Sequence, residues 1–182
     1  MRVSEEAAWH FIDLYTPLLY WAGRERGVLP DNMTFAQFGK TNHALKAKCR
    51  DAIYTPRSLL AVYLAAHPDL PAEDRATITA WERYVKGTFV ILRYLKKYAI
   101  FLGTDEPPRA YAVRALTTSF DEMIPPYALP HMCETVLLPY DDGIVCDGLI
   151  ASQNLVIGSN MRRNMNADYQ QMKRAGQLVK TL

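Results

Sequence analysis

The sequence has little of what most protein chemistry requires. It holds three cysteines and four histidines, too few and too scattered for a disulfide scaffold. Zinc needs about four clustered thiolate or imidazole ligands, or three and a water. The only local pair is His131 and Cys133, two apart, which share a face if they lie on a strand. A metal there would need His10, His43 or His67 brought in from a distance. The alternative is a buried thiol and a hydrogen-bonded imidazole, so no metal and no cofactor are expected. There is no Gly-x-Ser-x-Gly elbow, no His-Glu-x-x-His and no Cys-x-x-Cys. Gly39-Lys40-Thr41 copies the tail of a phosphate-binding loop. Thr34 stands where that loop needs its first glycine, and no strand precedes it.

Long apolar runs are missing as well. The longest, Leu59 to Ala66, falls far short of the roughly 18 residues of a membrane span. Glu5, Glu6 and Asp13 break up the opening stretch, and Arg2 follows Met1, so neither a secretory leader nor myristoylation is expected. The expected setting is the cytoplasm, with reduced thiols and no membrane partner. Charge of one sign is scarce too. Lys and Arg number 21 against 19 Asp and Glu, a net charge of +2 over 182 residues, too mild to announce a polyanion by itself. Hydrophobic residues make up 49% and charged residues 22%, which excludes disordered and coiled-coil classes.

What is present reads as helices followed by strands. Ser4 caps a first helix expected to run to about Arg26, stopped by Gly27 and kinked or split at Pro17. Residues 29–40 read as loop. Asn42 caps a second helix through Ile53, Pro56 opens a third to about Ala66, and Pro71 opens a fourth that Gly87 ends. From Thr88 the residues turn β-branched and aromatic. Thr88–Leu95, Tyr98–Gly103 and Ala110–Leu116 are expected strands. A short helix, Ser119–Ile124, leads into Pro125-Pro126-Tyr127-Ala128-Leu129-Pro130. Glu134–Tyr140 and Ile144–Ile150 flank Asp142-Gly143, a preferred two-residue hairpin turn. That turn sets Tyr140 opposite Val145, Leu138 opposite Asp147 and Val136 opposite Leu149. Asn154–Ile157 is a possible further strand. A final helix spans Met161 to about Ala175, capped by Ser159 or Asn160. The expected class is α+β: a helical N-terminal half, residues 1–86, packed on a C-terminal antiparallel β-meander with a terminal helix, residues 87–182. One continuous domain is the alternative to two separate parts.

Val85-Lys-Gly87, Lys97–Phe101, Pro125–Pro130, Glu134–Tyr140, Asp147-Gly-Leu149 and Tyr169–Leu182 together resemble a module of uncharacterised bacterial proteins. The resemblance covers the C-terminal part of the chain. It implies a bacterial, intracellular protein and carries no activity with it. The helical half resembles no such family.

Three sets of residues are candidates for function. Asp147 falls among Leu138, Val136 and Leu149 on an apolar face, where a carboxylate must be paired, hydrogen-bonded or protonated. It is either a general acid or base, or a structural group that caps a turn or meets Arg109 or Arg114. Cys49 lies in the run Lys46-Ala-Lys48-Cys49-Arg50, whose charge would lower its pKa and make a reactive thiol; the alternative is an ordinary helix residue. Lys46, Arg50, Arg162, Arg163, Lys173 and Arg174 are the cations best placed on helix faces for phosphate contacts. Trp9, Phe11, Tyr15, Tyr20 and Trp21 nearly surround the first helix. Such a belt is core, or a face shared with a partner or a second copy. The expected function is a non-catalytic binding or regulatory module acting through a protein partner or self-association. The alternatives are a nucleic-acid-binding accessory protein and an enzyme built around Asp147 or Cys49.

Overall fold

The computed structural model describes residues 1–153, 155 and 157–182. The chain divides into two compact units, residues 8–82 and residues 1–7 with 83–182. An α+β class fits, with helices and a six-stranded sheet. Among the described residues no helix is long and apolar enough to cross a membrane.

The first unit is helical. Helix α1 (Glu5–Glu25) runs unbroken through Pro17, contrary to the expected kink. Leu14, Tyr15, Leu18 and Leu19 are buried on both sides of the proline, so packing holds the turn that the lost N–H would weaken. The stretch expected as loop contains a short helix, α2 (Phe35–Gly39), fixed by a capping box of Thr34 and Gln37. Helix α3 (His43–Tyr54) is capped by the Asn42 side chain on the Leu45 N–H. The Thr55–Pro56 peptide is cis, and α4 (Leu60–Ala66) starts later than expected. Helix α5 (Ala72–Ala80) ends in a 3-10 turn, Trp81–Arg83. Phe11, Tyr15 and Trp81 pack ring on ring at 5.1–5.4 Å.

The second unit is a strand ring. Its strands are β1 (Val85–Tyr94), β2 (Ala99–Gly103), β3 (Ala110–Arg114), β4 (His131–Tyr140), β5 (Gly143–Cys146) and β6 (Ala151–Gln153). Gly87 therefore sits inside β1 and does not end a helix. The order is β1-β2-β3-β5-β4-β6, with β4 also paired to β1. The expected antiparallel meander holds only for β1-β2-β3. The chain from β3 to β4 passes through helix α6 (Phe120–Met123) and a 3-10 turn, Pro126–Ala128. That length lets β4 return beside β1 instead of turning back on β3, a Greek-key path. Strand β5 then lies parallel to β3, pairing Val113 with Ile144 and Arg114 with Val145, so the sheet is mixed and closes on itself. Val179 adds a short parallel bridge to β3 at Tyr111, and Arg2 adds one to Ala115 just past its end.

The ring has two apolar layers. Phe89, Ile91, Phe101, Tyr111, Val113, Leu137 and Ile144 cluster on one face with Phe120 and Ile124 of the α6 segment. Val90, Leu92, Ile100 and Leu102 cluster on the other with Tyr169 and Met172 of helix α7 (Ser159–Arg174). The strand expected at Asn154–Ile157 lies partly outside the described residues; β6 precedes it.

The hairpin between β4 and β5 turns one residue earlier than expected. Asp141 and Asp142, with φ of 52° and 55°, form the two-residue loop, and Tyr140 pairs with Gly143, Leu138 with Val145. Two aspartates tolerate the left-handed conformation. Gly143 borders the Arg114 guanidinium. A Cβ there would stand 2.9 Å from Arg114 Nη2, and Arg114 donates to the Asp141 carboxylate at 2.8 Å and to the Tyr140 carbonyl at 3.0 Å.

Gly23 marks a close contact of α1 with Cys49 of α3. A Cβ at that position would lie 2.6 Å from Cys49 Sγ and 2.9 Å from Leu29 Cδ1. Gly23→Ala is expected to cost about 1–3 kcal/mol in urea unfolding through overpacking, despite alanine's better helix propensity. Cys49→Ala in the Gly23→Ala background should recover part of it. Independent, additive effects in that double-mutant cycle would refute the contact.

Candidate functional site

The structure separates the residues that the sequence singled out. Asp147 is buried. Its Oδ1 accepts the Thr135 hydroxyl at 3.0 Å and the Leu149 N–H at 2.9 Å, the second an Asx turn. Arg114 is held by the hairpin turn instead. The Asp147 carboxylate thus fixes the exit from β5, with Thr135 and Cys146, 3.1 Å apart, beside it.

Cys49 is fully buried. Burial pushes its thiol up to about 11, opposite to the lowering expected from the neighbouring lysines. Those charges lie along the chain, whereas desolvation acts on the sulfur where it sits. Burial likewise pushes Cys133 up to about 12, with Glu134 adding to it, and raises Cys146, where Asp147 adds to the effect. His131 Nε2 meets the Ser152 hydroxyl at 3.0 Å, and desolvation lowers its pKa. Among the described residues no group of three His, Cys, Asp or Glu side chains stands close enough to hold a metal ion.

The six cations divide. Arg50 is buried and pairs with Asp51 at 3.1 Å, so it is not displayed for a phosphate. Lys46 donates to the Gly39 carbonyl at 3.1 Å and sits 6.0 Å over the Phe38 ring. Arg162, Arg163, Lys173 and Arg174 are exposed on α7.

The aromatic belt of α1 also divides. Phe11 and Tyr15 enter the core, Trp9 is exposed, and Tyr20 and Trp21 open onto a groove of about 460 Å³. Pro17, Tyr20, Trp21 and Arg24 of α1, Phe35 of α2, and Tyr63 and His67 at the end of α4 line it. Trp21 meets Tyr63 edge-on at 5.3 Å, and Tyr63 and His67 lie 4.1 Å apart. Tyr20 meets Phe35 edge-on at 5.4 Å, and Phe35 is 48% exposed. Polar groups fix two of these rings. The Tyr20 hydroxyl donates to the Met33 carbonyl at 2.8 Å, and His67 Nδ1 donates to the Tyr63 carbonyl at 2.8 Å. Arg24 Nη1 donates to the carbonyls of Asp31, at short range, and of Met33 at 3.4 Å, tying the loop before α2 to α1. The sequence signal was half of this groove, Tyr20 and Trp21 on the crowded helix. Phe35, Tyr63 and His67 come from separate segments that only folding brings there.

A thiol at about 11 is ionised at least about a hundredfold less at neutral pH than an ordinary cysteine near 8.5. Native protein should therefore react with a small thiol reagent at least about a hundredfold more slowly than urea-unfolded protein, at all three cysteines. Rapid labelling of Cys49 in the native state would restore the reactive-thiol alternative.

No protein-family model, no curated protein and no solved structure matches the chain, so its site is read from geometry alone.

Proposed function

We propose that the chain is a non-catalytic, bacterial cytoplasmic binding module whose helical unit takes up a protein segment in its aromatic groove. The observation that supports this is the groove itself. Five aromatic or imidazole rings and a proline surround one concavity, with a single guanidinium at its side. Tyr20 and His67, held by hydrogen bonds, lose little freedom when a partner docks, and tyrosine and tryptophan supply large contact areas. Proline-rich and aromatic segments suit such a surface. The candidate chemical groups are committed elsewhere: Cys49 is buried, and the Asp147 carboxylate holds a turn.

Selection from a random peptide library tests it. Enriched peptides should contain proline and aromatic residues and lose at least about tenfold in affinity for Phe35→Ser, with the melting temperature of the variant unchanged. Peptides that bind the variant as well as the wild type, or no enrichment, would reject the groove.

A second reading, nucleic-acid binding, has one observation in its favour. Arg162, Arg163, Lys173 and Arg174 are exposed together on the single helix α7, and such a set of cations can contact a phosphate backbone. A single-stranded oligonucleotide should then bind with a log–log salt slope of about −2 to −3, and Arg163→Glu with Arg174→Glu should abolish it. Salt-independent or undetectable binding removes this reading.

A further inference from the structure

We infer that α7 binds a single nucleic-acid strand through its phosphates alone, along one path between a cation pair at each end of the helix. This rests on the nucleic-acid reading above and names its ligand class, a single strand of any base sequence. Arg162 and Arg163 stand near the start of α7, and Lys173 and Arg174 end it. Residues 11 apart on a helix fall within about 20° of each other and about 16 Å apart along its axis. Arg163 therefore lines up with Arg174, and Arg162 with Lys173. Between the two pairs the outer face is small or uncharged. A concavity of about 740 Å³ opens there over Ala167, Gln170, Gln171 and Arg174. Asp168, the one acid of the helix, is turned about 140° from Arg163, off this path.

The helix is fixed before any ligand arrives. Tyr169 and Met172 are buried on its opposite side. Arg93 donates to the Asn166 side chain and lies 5.1 Å over the Tyr169 ring. The cation pairs are thus already spaced, so binding costs little ordering of the backbone. Other arginines are engaged inside the fold. Arg75 donates to the Leu64 and His67 carbonyls at 3.0 and 2.9 Å, and Arg114 to the Asp141 carboxylate at 2.8 Å. Among the described residues no carboxylate pairs with the four cations of α7. Their line of positive charge complements the evenly spaced negative charges of one strand. Stacking on bases needs an accessible aromatic ring. The one aromatic residue of α7, Tyr169, is buried, so the phosphates are the contact.

Fluorescence anisotropy of the full chain with labelled strands of about eight nucleotides, within the range of known single-strand sites, tests this. Oligothymidylate, a mixed sequence and an abasic phosphodiester strand should bind within about twofold of one another, with log–log salt slopes of about −2 to −3. Arg162→Gln with Arg163→Gln, and Lys173→Gln with Arg174→Gln, should each flatten the slope by about 1.4, two contacts at about 0.7 each. All four side chains are exposed, and unchanged circular dichroism will show that the variants fold. Those results support the proposal. An abasic strand bound at least about tenfold more weakly than its parent overturns it, because bases then contribute. A slope unchanged in either variant overturns it too, because that end of the helix then makes no contact. Both failures leave salt-dependent binding by the wild type, and with it the nucleic-acid reading, intact. A wild type that binds none of the strands removes the reading and the proposal together.

Discussion

The strand unit depends on β1 being paired along both edges. It joins β2 through Phe89–Tyr94 and β4 through Val85–Ile91. No edge is left open over the shared stretch, and the sheet closes into a ring, which removes the hazard of an unpaired strand. Both faces of β1 are also occupied. Phe89 and Ile91 turn to one apolar layer and Val90 and Leu92 to the other. That double burial explains the unbroken Phe-Val-Ile-Leu run, since alternation would have placed a polar side chain in a core. The pairing shifts between Ile91 and Arg93, a bulge that bends the strand. Past it, Arg93 reaches Asn166 and lies 5.1 Å over the Tyr169 ring. The same irregularity that curves the ring thus anchors α7 to it.

Legibility followed the range of the interactions. Caps and turns are local, so Ser4, Asn42 and Gly27 marked real helix ends. The β4–β5 hairpin was visible for the same reason, but its loop was placed one residue late. The preference of Asp-Gly for such turns ignored Arg114, whose guanidinium binds the Asp141 carboxylate and the Tyr140 carbonyl at the observed turn. The return of β4 to β1 left no local trace. Pairing Gly87 with Thr135 is a contact across many residues, and only the long α6 connection hinted that a simple meander was not required.

The candidate site shows the same division more sharply. Cys49 was placed by its charged neighbours in sequence, yet i±1 and i±3 neighbours on a helix point in several directions. The sulfur faces Gly23 in the core, and burial outweighs the charges. Arg50, its neighbour, is likewise drawn inward. Asp147 was rightly singled out as an acid among apolar residues, but its partners, Thr135 and the Leu149 N–H, depend on the β4–β5 pairing. The groove needed three segments to meet. Only the crowding of rings on α1 foretold that some would have no place in the core.

That crowding carries a physical consequence. A helix with aromatic residues all round cannot bury every one of them against a single layer. In the helical unit the excess is absorbed unequally. Phe11 and Tyr15 pack on Trp81, while Tyr20 and Trp21 are left at the surface with Phe35. Scattered exposed apolar side chains are ordinary, but these are gathered into one concavity, where the Tyr20 hydroxyl is fixed on the Met33 carbonyl. Stability alone would favour polar replacements at Phe35 and a collapsed groove. Keeping open, ordered rings there makes sense where something with a complementary surface closes over them.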